Sequence, residues 1–358
     1  MLMVMRVIVL VAGFWLVIFS GLAAIRTVVL PRGIPVLLTR VVFLFWRKLF
    51  RAVADRARSY HERDRAMALY APVSLVSLPF VWLFLVAVGF WGVYWALGVR
   101  PLRQAFSLSG SSLLTLGFTD PVDLPTTVVA FFETAIGIGL AALLIAYLPS
   151  MYATFSRREA AVGLLEVRAG SPPSALELLV RFHRIEWVGR LPDLWTFWEG
   201  WFNELEETHT SLPAMVFFRS PHPDRSWITA AGAVLDAASL RASTLDLPRE
   251  PEAEVCIRAG YLALRHIANF FRIPYDPDPA PDDPISVTRE EFDEVVAELA
   301  EAGLPIRAGR DQAWRDFAGW RVNYDGVLLR LAALVEAPYA PWSSDRSAAP
   351  DAIRRRRR

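Results

Sequence analysis

Three stretches of this chain are apolar for long enough to cross a bilayer as helix, which takes roughly 20 residues. They are residues 7–25, residues 71–97 with Pro72 and Pro79 inside, and residues 126–148. No comparable run lies beyond them. A chain with three such runs must bury them in lipid, so a membrane protein is the expected class. Hydrophobic residues make up 54% of the 358, and the excess lies in the first 150 or so. The formal charge is +1, which gives no basic surplus for nucleic acid. Cys256 is the one cysteine, which excludes an intrachain disulfide and a cysteine zinc cluster.

Charge orients the spans. Residues 26–65 carry ten basic side chains (Arg26, Arg32, Arg40, Arg47, Lys48, Arg51, Arg56, Arg58, Arg63, Arg65) against Asp55, Glu62 and Asp64. A loop with seven excess positive charges stays in the cytoplasm. The first run is therefore read as a retained helix rather than a cleaved signal, whose apolar core is about 7–15 residues. The N-terminus is expected outside the cell membrane and everything beyond the third span inside. Residues 35–52 are apolar on one side and basic on the other, which suits a helix lying on the inner leaflet. A basic loop that happens to be helical fits equally well.

The external connection, residues 98–124, balances Arg100 and Arg103 against Asp120 and Asp123. It is too short for a domain and too apolar for a plain loop. Residues 103–114 can form a helix of about 18 Å at 1.5 Å per residue. Such a helix dips halfway into a bilayer and returns.

The next segment is Thr115-Leu116-Gly117-Phe118-Thr119-Asp120. It resembles the filter signature T-V-G-Y-G-D of the potassium-channel pore domain. Thr115, Gly117 and Asp120 are identical, Leu116 and Phe118 are conservative, and Thr119 stands where the family has its second glycine. The resemblance covers residues 70–160. It implies a tetramer in which four chains line a path for potassium, with sodium the competing permeant ion, by rings of backbone carbonyls. It implies that the Thr115 hydroxyl completes the innermost ring, and that Asp120 gathers cations at the mouth. A carbonyl ring needs left-handed backbone. Gly117 takes that without strain, whereas Thr119 would incur about 1–2 kcal/mol there. A glycine some 19 residues past the filter aspartate is the family's inner-helix hinge, here Gly139, with Gly137 beside it. Close packing of helices in lipid explains both glycines as well. Residues 133–158 are similar to the inner helix of bacterial inward-rectifier-type channels, including the exit Phe155-Ser156-Arg157-Arg158. Glu133 is a carboxylate in the span, and such a group needs protein or water beside it. It is expected to hydrogen-bond behind the filter near Ser111 or Ser112.

Residues 156–345 read as an all-α cytoplasmic domain with helices at 157–169, 174–190, 193–209, 226–246, 252–272, 288–302 and 310–336. Thr288 with Glu291 three residues on forms a capping box. No β-rich stretch appears, so the inward-rectifier likeness stops at the membrane. No glycine-rich nucleotide loop, P-loop or catalytic constellation occurs, and no enzyme or cofactor is expected. Glu206 and His209 form a lone Glu-x-x-His, read as a solvated helix end rather than a metal site. Trp195, Trp198 and Phe202 fall at helical spacing with Trp201 beside them, a core stripe. Arg354–Arg358 make a polybasic tail that, like the basic loop, can meet anionic lipid.

The expected organisation is a first span (1–32), a basic amphipathic segment (33–70), a pore domain (71–155), a helical domain (156–345) and a tail (346–358). The leading function is a homotetrameric potassium-type channel in the plasma membrane. The alternative is a non-conducting, membrane-anchored helical sensor or scaffold.

Overall fold

The computed structural model describes residues 1–28 and 36–346. Arg32 and the arginine tail lie outside them. The described chain is helical, and its only pairing of extended backbone is an isolated bridge between Leu245 and Ile306. It divides into two compact units, Met1–Ala153 and a second from Thr154 on.

The first unit holds α1 (Leu2–Val28), α2 (Leu37–Ala54), α3 (Tyr60–Ala68), α4 (Tyr70–Leu97), α5 (Leu102–Leu113) and the start of α6 (Leu124–Ala169). α1, α4 and α6 are long and apolar enough to cross a membrane, as the hydropathy predicts. Between apolar helices in lipid, small residues set the closest approach. α1 turns Gly13, Val17, Ser20 and Ala24 inward, and a Cβ on Gly13 would lie 2.5 Å from the Gly89 carbonyl of α4. The opposite face of α1 exposes Val11, Trp15, Ile18 and Leu22, as a lipid-facing helix must.

α2 is amphipathic. Val42 is buried toward α4, and Trp46 donates its indole N–H to Ser77 Oγ at 2.9 Å. Leu37, Val41, Phe45 and Leu49 form an uncovered apolar stripe, the pattern of a helix seated in a membrane surface. α3 has no counterpart among the expected elements; Ser59 caps it by accepting from the Glu62 amide.

The second unit continues α6 and adds α7 (Ala175–Arg184), α8 (Leu191–Ser211), α9 (Trp227–Thr244), α10 (Pro251–Phe270), α11 (Arg289–Glu301), α12 (Arg310–Arg321) and α13 (Asp325–Val335). α9 is buried on nearly every side, with its charged Asp236 and Arg241 each paired to a neighbour. Its alanines, serines and Gly232 leave room for α7, α10, α12 and α13 to pack against it. Trp195, Trp198, Trp201 and Phe202 are core, as their spacing predicts. The Thr288–Glu291 capping box forms.

Several expectations for this unit are corrected. The run 174–190 is α-helical only from Ala175 to Arg184, with a separate 3-10 turn at Val188–Arg190. The run 310–336 is two helices, broken after Arg321. There Arg321, fully buried, pairs with Asp236 of α9 and with Asp325 at 2.8 Å, and Tyr324 donates to Asp236 at 2.8 Å. Satisfying a buried guanidinium outweighs one more turn of helix. Arg346, expected as the first residue of the tail, is tied to Glu291 at 3.0 Å and to Asp345 at 2.9 Å.

Candidate functional site

α5 is a 12-residue helix set between two spans, within one residue of the predicted 103–114 at each end. Its inner face, Ala105, Leu108 and Leu113, joins the apolar cluster around α4 and α6. The chain then turns back on the helix end: the Thr115 amide donates to the Ser112 carbonyl at 3.2 Å and the Leu116 amide to the Ser111 carbonyl at 2.8 Å.

Ser111 organises the loop beyond this turn. Its side-chain oxygen accepts from the amide of Phe118 at 3.1 Å and from that of Thr119 at 3.2 Å. In a trans peptide the N–H and the preceding C=O point opposite ways. Both bonds therefore turn the carbonyls of Gly117 and Phe118 away from α5. Two successive carbonyls on one side make an acceptor row that a bare cation can use.

The left-handed residues of this loop are Gly117 (φ 68°) and Thr115 (φ 55°). Thr119 lies outside the left-handed region, so the strain that a glycine-like backbone would impose there does not arise. The Ser111 hydroxyl holds its peptide, so no glycine is needed there. The strain sits at Thr115, whose hydroxyl donates to the Leu114 carbonyl at 2.7 Å. A β-branched residue in this region is an outlier, and outliers mark sites that the surroundings hold in place. Leu116, Phe118 and Asp120 are exposed in the single chain.

Glu133 of α6 is fully buried. Its two carboxylate oxygens accept from Tyr94 Oη of α4 at 2.8 Å and from Ser109 Oγ of α5 at 2.6 Å. It thereby ties three helices. The expected partners Ser111 and Ser112 are corrected to Ser109. Two residues along a helix is a rotation of about 200°, so Ser109 and Ser111 point to opposite sides, one to α6 and one to the loop. Ser112 takes part through its carbonyl, which accepts from Thr134 Oγ1 at 2.9 Å. The sequence gives no hint of Tyr94. Its place on α4 carries no local signal, and only the packing of α4 on α6 brings it to Glu133.

The two glycines of α6 differ. A Cβ on Gly137 would lie 2.1 Å from the Leu113 carbonyl, so α6 and the end of α5 are in backbone contact. Around Gly139 nothing lies within 4 Å. Asp123 caps α6 by accepting from the Thr126 amide at 3.0 Å.

His209 also departs from its reading as a solvated helix end. It is fully buried, while Glu206 binds His266 of α10 at 2.7 Å. Among the described residues no group of three or more His, Cys, Asp or Glu side chains is placed to hold a metal.

No family model matches the chain, and neither a curated protein nor a solved structure resembles it significantly.

Proposed function

We propose that this protein is one subunit of a homotetrameric cation channel of the potassium type, with residues 115–120 as its filter and the helical C-terminal unit as a cytoplasmic regulatory domain. The carrying observation is the grip of Ser111 on the amides of Phe118 and Thr119 at the end of a half-length helix between two spans. It turns consecutive carbonyls one way, which is what replacing an ion's water requires. One such loop per chain cannot surround an ion; four-fold symmetry closes the ring. Glu133 then acts as a strut behind the filter and stays off the ion path. The exposed stripe of α2, with Arg40 and Lys48 beside it, makes its contact with anionic lipid in the inner leaflet.

The test is ion flux. Purified protein in liposomes is expected to run as a tetramer and to carry potassium down its gradient faster than sodium. Monomers or dimers without flux would leave the scaffold reading in its place.

A further inference from the structure

His209 of α8 and Arg158 of α6 are both buried within the second unit, and the His209 Nε2 lies 3.2 Å from an Arg158 guanidinium nitrogen. A guanidinium only donates, so this ring nitrogen must accept. The imidazole is then neutral, with its proton on Nδ1 beside Thr208 Oγ1 at 3.1 Å. The remaining Arg158 donors go to the carbonyls of Met215 (2.8 Å) and Phe218 (2.7 Å) and to Glu159 (2.8 Å). His209 is thus the one partner of this arginine that can cease to be an acceptor.

The surroundings offer no counter-charge to a protonated ring. α6 presents Arg158, with Glu159 bonded to the far side of the guanidinium. α9 presents the Trp227 ring, 5.0 Å away. On α8 itself, Glu204 is bound by Arg157, and Glu206 by His266 of α10. The 3-10 turn at Pro213–Phe217 presents the Met215 carbonyl, already taken.

We propose that the Arg158–His209 contact is a proton-operated latch that holds the C-terminal part of α6 to α8 while His209 is neutral and releases it when the ring is protonated. A proton from solvent adds to Nε2 and becomes an N–H. The acceptor is lost and two cations face each other across the former bond. Burial first and Arg158 second hold the pKa of His209 well below its ordinary value. The closed latch therefore excludes the proton and the open one takes it up. Acid drives opening, with an onset just below the ordinary histidine range of about 6.5. The latch stands without the channel reading. Its use to regulate a pore lined by α6 rests on that reading.

The test is hydrogen exchange of the full-length protein in lipid nanodiscs at pH 7.5 and 5.5, each amide corrected for its intrinsic rate. Peptides covering residues 154–162 and 205–218 are expected to lose protection about tenfold between the two values, one decade per pH unit below the onset. His209→Gln, which keeps an acceptor and cannot titrate, is expected to change less than twofold, and so is His209→Asn if the first variant fails to fold. Equal wild-type protection at both pH values, or a response kept by the folded variant, overturns the latch. Flux in liposomes separates the two proposals. A wild-type flux that changes with pH where His209→Gln does not supports the regulatory use. A flux that ignores pH overturns that use. No flux at either pH, with the exchange result intact, overturns the pore and leaves the latch.

Discussion

Ser109 donates its hydroxyl proton to Glu133 at 2.6 Å, and this bond joins the half-length helix α5 to the span α6. The other carboxylate oxygen is held by Tyr94 of α4. A carboxylate that accepts twice cannot be replaced by an amide without facing one donor with another. Glu133→Gln is expected to destabilise the membrane unit by about 1–3 kcal/mol, the cost of a buried unmet polar group. The check is thermal unfolding in detergent. Glu133→Leu with Ser109→Ala and Tyr94→Phe removes both donors together and should recover most of the loss. No recovery would mean that the three groups do not act as one bridge.

Ser111→Ala deletes the acceptor of two amides while leaving α5 intact. Each bond contributes about 0.5–1.5 kcal/mol, so the carbonyls of Gly117 and Phe118 should lose their common orientation. The potassium-to-sodium permeability ratio, read from bi-ionic reversal potentials, is expected to fall at least about tenfold. Ser111→Thr keeps the hydroxyl and should hold the ratio within about twofold.

Gly117 and Thr119 should respond in opposite ways. Ala at a φ of 68° is strained by about 1–2 kcal/mol in each chain, and Gly117→Ala should abolish flux. Thr119 is unstrained, so Thr119→Gly is expected to leave selectivity unchanged or lower it through added freedom. A clear gain in selectivity for Thr119→Gly would mean that the Ser111 grip is not what holds that peptide.

Topology cannot be read with the native thiol. Cys256 is buried, and burial pushes its pKa well above the ordinary thiol range. In a Cys256→Ala background, Val122→Cys and Tyr339→Cys introduce exposed probes in the connection and in the second unit. An impermeant maleimide should label the first in intact cells and the second only after permeabilisation. The reverse pattern would invert the proposed orientation.

The Arg321 cluster gives a stability prediction. Arg321→Met strands Asp236 and Asp325 beside an apolar side chain. Removing one partner of a buried pair costs about 3–5 kcal/mol. The second unit should therefore unfold first in a thermal melt followed by near-UV circular dichroism. Adding Asp236→Leu should restore part of the loss.

The three spans, the ends of α5 and the Thr288 capping box are legible in the sequence because each rests on runs or spacings of neighbouring residues. The features that escape a sequence reading depend on distant partners. Nothing near Glu206 and His209 shows that the histidine turns inward to an arginine 51 positions away. Nothing in the run 310–336 shows that Arg321 must reach Asp236, which is why one expected helix is two. The residues around Thr119 leave open whether its backbone is strained or relaxed. The relaxed backbone comes with a bond from its amide to the hydroxyl of Ser111, eight residues earlier.

Gly137 has a mechanical consequence. With no space for even a methyl group between it and the Leu113 carbonyl, α6 cannot roll at this level without carrying the end of α5 and its loop along. Any swing of α6 that spares the loop needs its fulcrum past this contact. At Gly139, two residues further on, no neighbour lies within 4 Å of where a Cβ would stand, so the contact does not extend that far. Gly137 is thus a clamp, and Gly139 lies outside its grip.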